Sequence, residues 1–304
     1  MKRIALLIMV ALIASATAMS AKKSSGHKPE GARIVLKAAA DFNSVVLNAP
    51  VTVELVKDAK HPGYVVYHST VKGELKVYNK GSELVISVKD EFKNKRLGVT
   101  SRVVVCYDGD FNSLVVNGSG DILAKSLRAG GDARYVVNGS GDIKVADVET
   151  KGVFKCVVNG SGDIDLCSLK ATGLSATVNG SGDVELKTCA VSGSADLAVN
   201  GSGDLDVNDI KASTVSAKVS GSGDLVVKGS AVDANLAMAG SGDLSAGALQ
   251  AENTRVSGTG SGDISCRASR SLYVKGGKAC DIKVRGPRPA QVEIHSDNVE
   301  FTGK

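Results

Sequence analysis

The sequence is poor in aromatic residues: its 304 residues include no Trp, 5 Phe and 6 Tyr. Few rings are therefore available to stack against sugars. The 4 His residues are scattered, without a repeated Cys or acidic partner, so the sequence supports neither a metal site nor a histidine general base. The G-x-S-x-G elbow, the P-loop and the H-E-x-x-H motif are also absent. These absences argue against the common hydrolase, nucleotide-binding and zinc-protease classes.

Long hydrophobic runs are equally scarce, and the only one lies near the N-terminus. Residues 4–14 are apolar, follow a basic start and precede the small residues 15–18. This pattern is typical of a secretory signal peptide, and the run is too short to span a bilayer. Cleavage is expected after Ala18 or Ala21. The mature chain is therefore predicted to be exported and to lack a transmembrane segment.

The charge of the chain is only mildly positive. Its formal net charge is +5 at pH 7 and falls to +3 when Lys2 and Arg3 are removed (+5 − 2). An excess this small and dispersed gives no electrostatic reason to expect nucleic-acid binding. We assign residues 1–21 to the signal peptide and residues 22–31 to a flexible leader.

One motif, Asn-Gly-Ser-Gly-Asp followed by an aliphatic residue, organises the rest of the chain. It first occurs at residues 117–122, and later copies relax only the first position. The copies begin at residues 117, 138, 159, 179, 200, 220, 239 and 259. A fixed period of about 20 residues indicates a repeat architecture, in which each unit buries its apolar face against its neighbours.

Apolar and polar residues alternate on both sides of each motif. The third and first positions before the motif are almost wholly apolar, as at Leu114 and Val116. After the motif, apolar residues such as Ile143 and Val145 flank a polar one, here Lys144. This period of two predicts two short strands per repeat, each with one face turned inward.

Two all-β arrangements fit such repeats. Asn-Gly favours a hairpin, but two strands in each of eight repeats would give an open sheet of about sixteen strands, above the usual limit of roughly ten. A β-solenoid with one coil of about 20 residues per repeat explains why the corner keeps one sequence. Stacked Asn side chains are predicted to form a hydrogen-bonded ladder, and the motif glycines to adopt positive φ. The solenoid is the predicted fold.

The two ends of the chain diverge from the regular repeat. Residues 32–110 are strand-rich but irregular, whereas residues 111–304 contain the regular repeats and a C-terminal cap with closing strands. The segment at residues 42–46, F-N-S-V-V, matches F-N-S-L-V at residues 111–115 almost position for position. The irregular segment is therefore predicted to be a diverged start of the same solenoid. Its insert at residues 89–96 is the one charged irregularity.

The paired F-N-S openings and the serial Gly-Ser-Gly-Asp copies resemble the head GIN domain family of candidate autotransporter adhesins, which occurs largely in Bacteroidetes. The resemblance covers about residues 34–304. It implies a right-handed parallel β-helix in an exported protein of the cell envelope, with no established biochemical activity.

The repeated aspartates form a column in the predicted solenoid. Stacked coils would place their carboxylates about 4.8 Å apart, where like charges repel. One hypothesis is a row of calcium ions bound by neighbouring carboxylates and corner carbonyls. The other, which we favour, is that each Asp accepts hydrogen bonds from corner N–H groups. The eight residues are Asp121, Asp142, Asp163, Asp183, Asp204, Asp224, Asp243 and Asp263.

Six Cys residues in an exported chain raise the possibility of disulfides. However, Cys156, Cys189 and Cys266 fall in apolar columns, where Cys acts as a small hydrophobe. Cys167 falls in an outward column with several lysines. The pattern favours scattered thiols over a disulfide framework.

We predict a non-enzymatic envelope protein, an adhesin or binding scaffold that uses its repeated faces to bind a glycan, an envelope polymer or a surface protein. No cofactor is expected apart from the hypothetical calcium. The periplasm, the outer-membrane surface and the medium are all compatible locations. Two alternatives stay open: a polysaccharide-active β-helix enzyme, which should gather non-repeating acidic and basic residues in one groove, and a self-assembling structural protein.

Overall fold

Residues 31–99, 101–277 and 279–303 are described by a computed structural model, and they form a β-solenoid. Each coil contains about 20 residues, and successive coils pair in parallel through their strands. The all-β solenoid prediction is therefore confirmed. The predicted signal peptide and nearly all of the predicted leader lie outside the described residues. Within those residues, no helix has the length and apolar character needed to cross a bilayer.

The strand before each corner belongs to the first stack of the solenoid. Neighbouring strands are parallel and in register, so Leu114 lies beside Tyr135, and Tyr135 lies beside Cys156. In stacking order the strands are β6 (Glu83–Val88), β2 (Ser44–Asn48), β8 (Ser113–Val116), β10 (Ala133–Val137), β12 (Val153–Val158), β14 (Gly173–Val178), β16 (Ser194–Val199), β17 (Leu205–Val219), β18 (Leu225–Met238), β20 (Leu249–Gly258), β22 (Ser271–Gly276) and β24 (Gln291–His295).

The strand after each corner belongs to the second stack, which is also parallel. The long strands β17 and β18 run through both stacks. The other strands, in stacking order, are β7 (Val103–Tyr107), β3 (Val53–Lys57), β9 (Ile122–Ala129), β11 (Ile143–Thr150), β13 (Ile164–Ala171), β15 (Val184–Val191), β19 (Leu244–Ser245), β21 (Ile264–Cys266), β23 (Ile282–Arg285) and β25 (Val299–Thr302).

The N-terminal segment does not stack in chain order. The coil formed by β2 and β3 lies between the coil of β6 and β7 and the coil of β8 and β9. Three antiparallel strands extend this end: β5 (Leu75–Lys80) pairs with β6, β4 (Tyr64–Ser69) with β7, and β1 (Ala32–Lys37) with β4. A 3₁₀ turn, Asp90–Phe92, lies in the charged insert. These strands cover the first coil, whose edges would otherwise be open.

The alignment of the two F-N-S segments is confirmed. Ser44 pairs with Ser113 and Val45 with Leu114 in the adjacent strands β2 and β8. The preceding rings, Phe42 and Phe111, pack edge to face with their centroids 5.8 Å apart.

One continuous core fills the solenoid, because the apolar columns all face inward. Val116, Ile122 and Leu225 are fully buried, as the period of two predicts. Near the N-terminal end the core is aromatic: Tyr135 packs on Phe154 with centroids 4.9 Å apart. Burial of each large apolar side chain in these columns stabilises the folded state by about 1.5–3 kcal/mol.

Candidate functional site: the corners of the solenoid

The corner asparagines form a continuous ladder along the solenoid. The Nδ2 group of each Asn donates to Oδ1 of the Asn in the preceding coil over 2.7 to 2.9 Å. The predicted ladder is confirmed, and it extends into the irregular segment. Its members are Asn48, Asn117, Asn138, Asn159, Asn179 and Asn200.

The prediction of positive φ at the motif glycines is wrong. The glycines with positive φ all lie outside the motif copies. Close backbone approach is the reason for glycine: a Cβ added to Gly139 would overlap the carbonyl oxygen of Gly118 in the preceding coil. That carbonyl oxygen also accepts the N–H of Ser140 at 2.9 Å. The corner therefore requires glycine because stacked backbones pass too close for a side chain.

The aspartate column is hydrogen-bonded from coil to coil. Oδ1 of each Asp accepts the backbone N–H of the next Asp in the column over 2.8 to 3.1 Å. At its start, Asp121 also accepts the Thr52 hydroxyl through Oδ2 at 3.2 Å. Among the described residues, no group of three or more His, Cys, Asp or Glu side chains is arranged to hold a metal ion. The calcium row stays a prediction.

Lysines offset part of the charge beside this column. The Lys144 ammonium lies 2.9 Å from Asp165 and 3.2 Å from Asp142, and its hydrogen bond to Asp165 is the main reason that its pKa is raised. Burial, followed by the charge of Asp204, raises the pKa of Asp206. Near Asp206, burial and the neighbouring carboxylate of Asp204 both disfavour the charged form.

All six cysteines are free. Cys156, Cys189 and Cys266 are buried and Cys167 is exposed, as the column pattern predicts. Burial raises the pKa of Cys189 to about 12. Such a thiol stays protonated at neutral pH and behaves as an apolar core group. Cys106 and Cys280, which the sequence did not place, are also buried.

A groove that the sequence analysis did not identify runs along another corner of the solenoid. This corner groove has a volume of about 750 Å³ and crosses five coils. Its floor consists of Ala129, Thr150, Ala171 and Val191, which are 5 to 6% exposed. Two outward rows form its walls: Arg128, Glu149, Lys170, Ala190 and Lys211 on one side, and Gly130, Lys151, Thr172 and Ser192 on the other.

Cations dominate the walls of the corner groove. Glu149 lies between Arg128, at 3.5 Å, and Lys170, at 3.2 Å. Lys151 and Lys211 also line the groove, and neither takes part in an ion pair within the described residues. The signal in the sequence was a charged residue that recurs directly before the last apolar residue of a strand, as in Arg128-Ala129 and Lys170-Ala171, a pattern that solvent exposure alone also explains.

An acidic pocket lies at one end of the corner groove. It has a volume of about 390 Å³ and is lined by Asp41, Asp108 and Asp110, the last of which also lines the groove. All three aspartates are exposed.

Comparison with known proteins identifies the family. The family described as "Putative auto-transporter adhesin, head GIN domain" matches residues 41–208 and 191–287. No curated protein matches the chain. The fold is similar to the crystal structure of a putative adhesin from Parabacteroides distasonis ATCC 8503, with a TM-score of 0.59 and 16% identity over 88% of this chain and 98% of that one. It is also similar to a putative adhesin from Parabacteroides merdae ATCC 43184, with a TM-score of 0.58 and 16% identity over 89% of this chain and 95% of that one. Because the family matches most of its length, the chain belongs to the head GIN domain family.

Proposed function

We propose that the protein is an exported, non-enzymatic adhesive scaffold of the cell envelope that binds an extended glycan along the corner groove. The family description indicates a surface or exported protein, which agrees with the signal-peptide pattern of the sequence. The proposal rests on the corner groove. This groove is concave, and its walls present polar groups coil after coil along the solenoid axis.

The spacing of the corner groove suits a linear polymer. Equivalent residues in successive coils are about 4.8 Å apart, so the five coils span about 19 Å. Ala129, Thr150, Ala171 and Val191 form the floor, while the polar residues Thr172 and Ser192 line one wall. A sugar chain offers hydroxyls to such walls and C–H faces to such a floor.

The acidic pocket is the observation that favours the enzyme alternative. Glycoside hydrolysis needs two carboxyl groups in different environments, of which the general acid normally lies in an apolar pocket. Asp41, Asp108 and Asp110 are all exposed, so none of them has such an environment. Release of reducing ends from a polysaccharide by the purified protein would favour the enzyme over the scaffold.

The test is a binding screen of the purified mature chain on bacterial and host glycans and on matrix proteins, with calcium and with chelator. A glycan identified in the screen should bind the Lys151→Ala/Lys211→Ala variant several-fold more weakly, because both lysines line the groove without an ion pair. The control variant Lys125→Ala/Lys228→Ala removes the same charge from exposed positions outside the groove. Equal binding by both variants would contradict the groove assignment. Binding that vanishes in chelator would support the calcium row.

A further inference from the structure

The charged insert forms the wall of a second cavity at the N-terminal end. This cationic cleft has a volume of about 720 Å³, and Lys95, Arg96 and Arg102 line it together with the hydroxyls of Thr52 and Ser101. No carboxylate lines it. Three non-repeating cations of the N-terminal segment thus gather around this cavity.

The position of the cleft follows from the register of the second stack. Val53 pairs with both Val103 and Ile122, so Thr52, Arg102 and Asp121 occupy equivalent corner positions. Towards the N-terminal end, the column position that holds Asp in the repeats is therefore occupied by Thr52 in one coil and by Arg102 in the next. Nη1 of Arg102 lies 3.4 Å from a carboxylate oxygen of Glu54. This long, single contact leaves other N–H groups of the guanidinium able to bind a ligand.

A buried carboxylate holds the insert in place. Glu74 is fully buried, and it accepts hydrogen bonds from the Ser69 hydroxyl at 2.6 Å and from the Gly98 N–H at 2.7 Å. The Gly98 carbonyl oxygen accepts the N–H of Thr70 at 2.9 Å. Gly98 follows Arg96 by two residues, so the cationic wall is anchored before a ligand arrives. Such preorganisation lowers the entropy cost of binding.

We propose that the cationic cleft binds the oxyanion groups of an acidic polysaccharide. Lys95 and Arg96 would pair with carboxylates of the polysaccharide, and the Arg96 guanidinium can bind both oxygens of one carboxylate. Leu97 offers an apolar wall for a ring face. Thr52 and Ser101 also line the cleft, but their hydroxyls are hydrogen-bonded to Asp121 and to the His68 N–H, so the cations carry the recognition. No aromatic ring lines the cleft, so the stacking surface that single-stranded nucleic acids use is missing. This site is separate from the corner groove and does not depend on it.

The test is calorimetric titration of the mature chain with polygalacturonate oligosaccharides, with neutral dextran and with phosphatidylglycerol vesicles. The wild type should bind polygalacturonate, more weakly as salt rises, and should not bind dextran. The Lys95→Ala/Arg96→Ala variant should bind about tenfold more weakly, since each exposed ion pair contributes a factor of about 2 to 5. The Lys95→Arg/Arg96→Lys variant, which keeps both charges, should retain most of the affinity.

Two control variants separate this site from the rest of the surface. Lys125→Ala/Lys228→Ala removes equal charge elsewhere and should bind within about twofold of wild type. Lys151→Ala/Lys211→Ala should also keep its affinity for polygalacturonate, so that failure of the groove and failure of the cleft are distinguishable. Unchanged affinity in the Lys95→Ala/Arg96→Ala variant, no binding of polygalacturonate, or binding only to vesicles would each overturn the proposal. Circular dichroism of each variant checks that it is folded.

Discussion

The regular repeats and the N-terminal segment share one coil register but are stabilised in different ways. In the repeats the same contact recurs in every corner, as when Ser140 and Ser161 each donate a backbone N–H over 2.9 Å to a glycine carbonyl of the preceding coil. In the N-terminal segment the contacts occur once each. Glu74 anchors the charged insert, and antiparallel strands cover the first coil. A contact that recurs in each coil restricts the residue type at many equivalent positions. A contact that occurs once depends on a single residue.

The difference also determines where cavities lie on the surface. The repeats present periodic rows of residues, which line a groove across five coils. The N-terminal segment departs from the period at residues 89–99, and there non-repeating cations line an open cleft. The periodic surface thus supports the proposed polymer groove, and the insert supports the proposed local site.

The largest expected effect is on corner packing. Gly160→Ala would place a Cβ against the carbonyl oxygen of Gly139, whereas nothing lies within 4 Å of a Cβ added to Gly118. We expect Gly160→Ala to lower the free energy of unfolding by about 3 kcal/mol. Gly118→Ala should cost less than about 1 kcal/mol. Urea denaturation measures both, and equal midpoints would show that close approach is not what requires glycine.

Removal of the buried anchor should come next in size. Glu74→Ala leaves the Gly98 N–H without its acceptor and removes one of the two acceptors of the Ser69 hydroxyl, at a cost of about 2 kcal/mol. Hydrogen exchange should increase in residues 89–99 more than in the repeats. The matched control is Glu91→Ala, an exposed carboxylate in the same insert. Similar exchange in the two variants would mean that Glu74 does not hold the insert.

Two substitutions in the aspartate column distinguish the effect of hydrogen bonding on stability from the effect of charge. Asp183→Ala removes the Oδ1 acceptor of the Asp204 N–H, which is 2.8 Å away, and should cost about 1 kcal/mol. Asp183→Asn keeps an Oδ1 acceptor and removes a charge from the column, so its stability should equal or exceed that of wild type. Thermal denaturation in chelator distinguishes the two. A loss as large in Asp183→Asn as in Asp183→Ala would point to a role for the charge itself.

Two tyrosines of the aromatic core should respond in opposite directions. The buried Tyr135 hydroxyl has no hydrogen-bond partner among the described residues, whereas the Tyr107 hydroxyl donates to the Ser126 carbonyl oxygen at 2.9 Å. Tyr135→Phe should therefore stabilise the protein by about 1 kcal/mol, and Tyr107→Phe should destabilise it by about the same amount. Chemical denaturation checks both signs. Destabilisation by Tyr135→Phe would indicate a partner for that hydroxyl.

The smallest effect concerns pH. Because burial raises the pKa of Asp206 from 3.8, its stabilising contribution is complete below that value and is lost as pH rises through the folded-state pKa. Asp206→Asn should therefore be more stable than wild type at pH 7 and equal to it at the acidic limit. Asp196→Asn, an exposed substitution on the first stack, is the control. A stability difference for Asp206→Asn that does not shrink on acidification would contradict this account.

Much of the fold could be predicted because the evidence for it is local. The period of two places Cys156 inside and Cys167 outside, and both placements are confirmed. The similarity of residues 42–46 to residues 111–115 predicted that these strands align, and they do. The sequence could not show that β6 also pairs with β2, because that contact joins segments without a common motif. Nor could the sequence show whether a corner glycine is needed for a positive φ or because the backbone of the preceding coil leaves no room for a Cβ.

The sequence by itself determined the repeat, the inward columns, the Asn ladder and the family resemblance, since each is a pattern of residue types at a fixed spacing. Only the tertiary structure decided the order of the first coils, the corner groove and the cationic cleft. The physical reason is that these features depend on distances between residues far apart in the chain, such as Thr52 with Arg102 and Glu74 with Gly98. Spacing along the chain does not determine those distances.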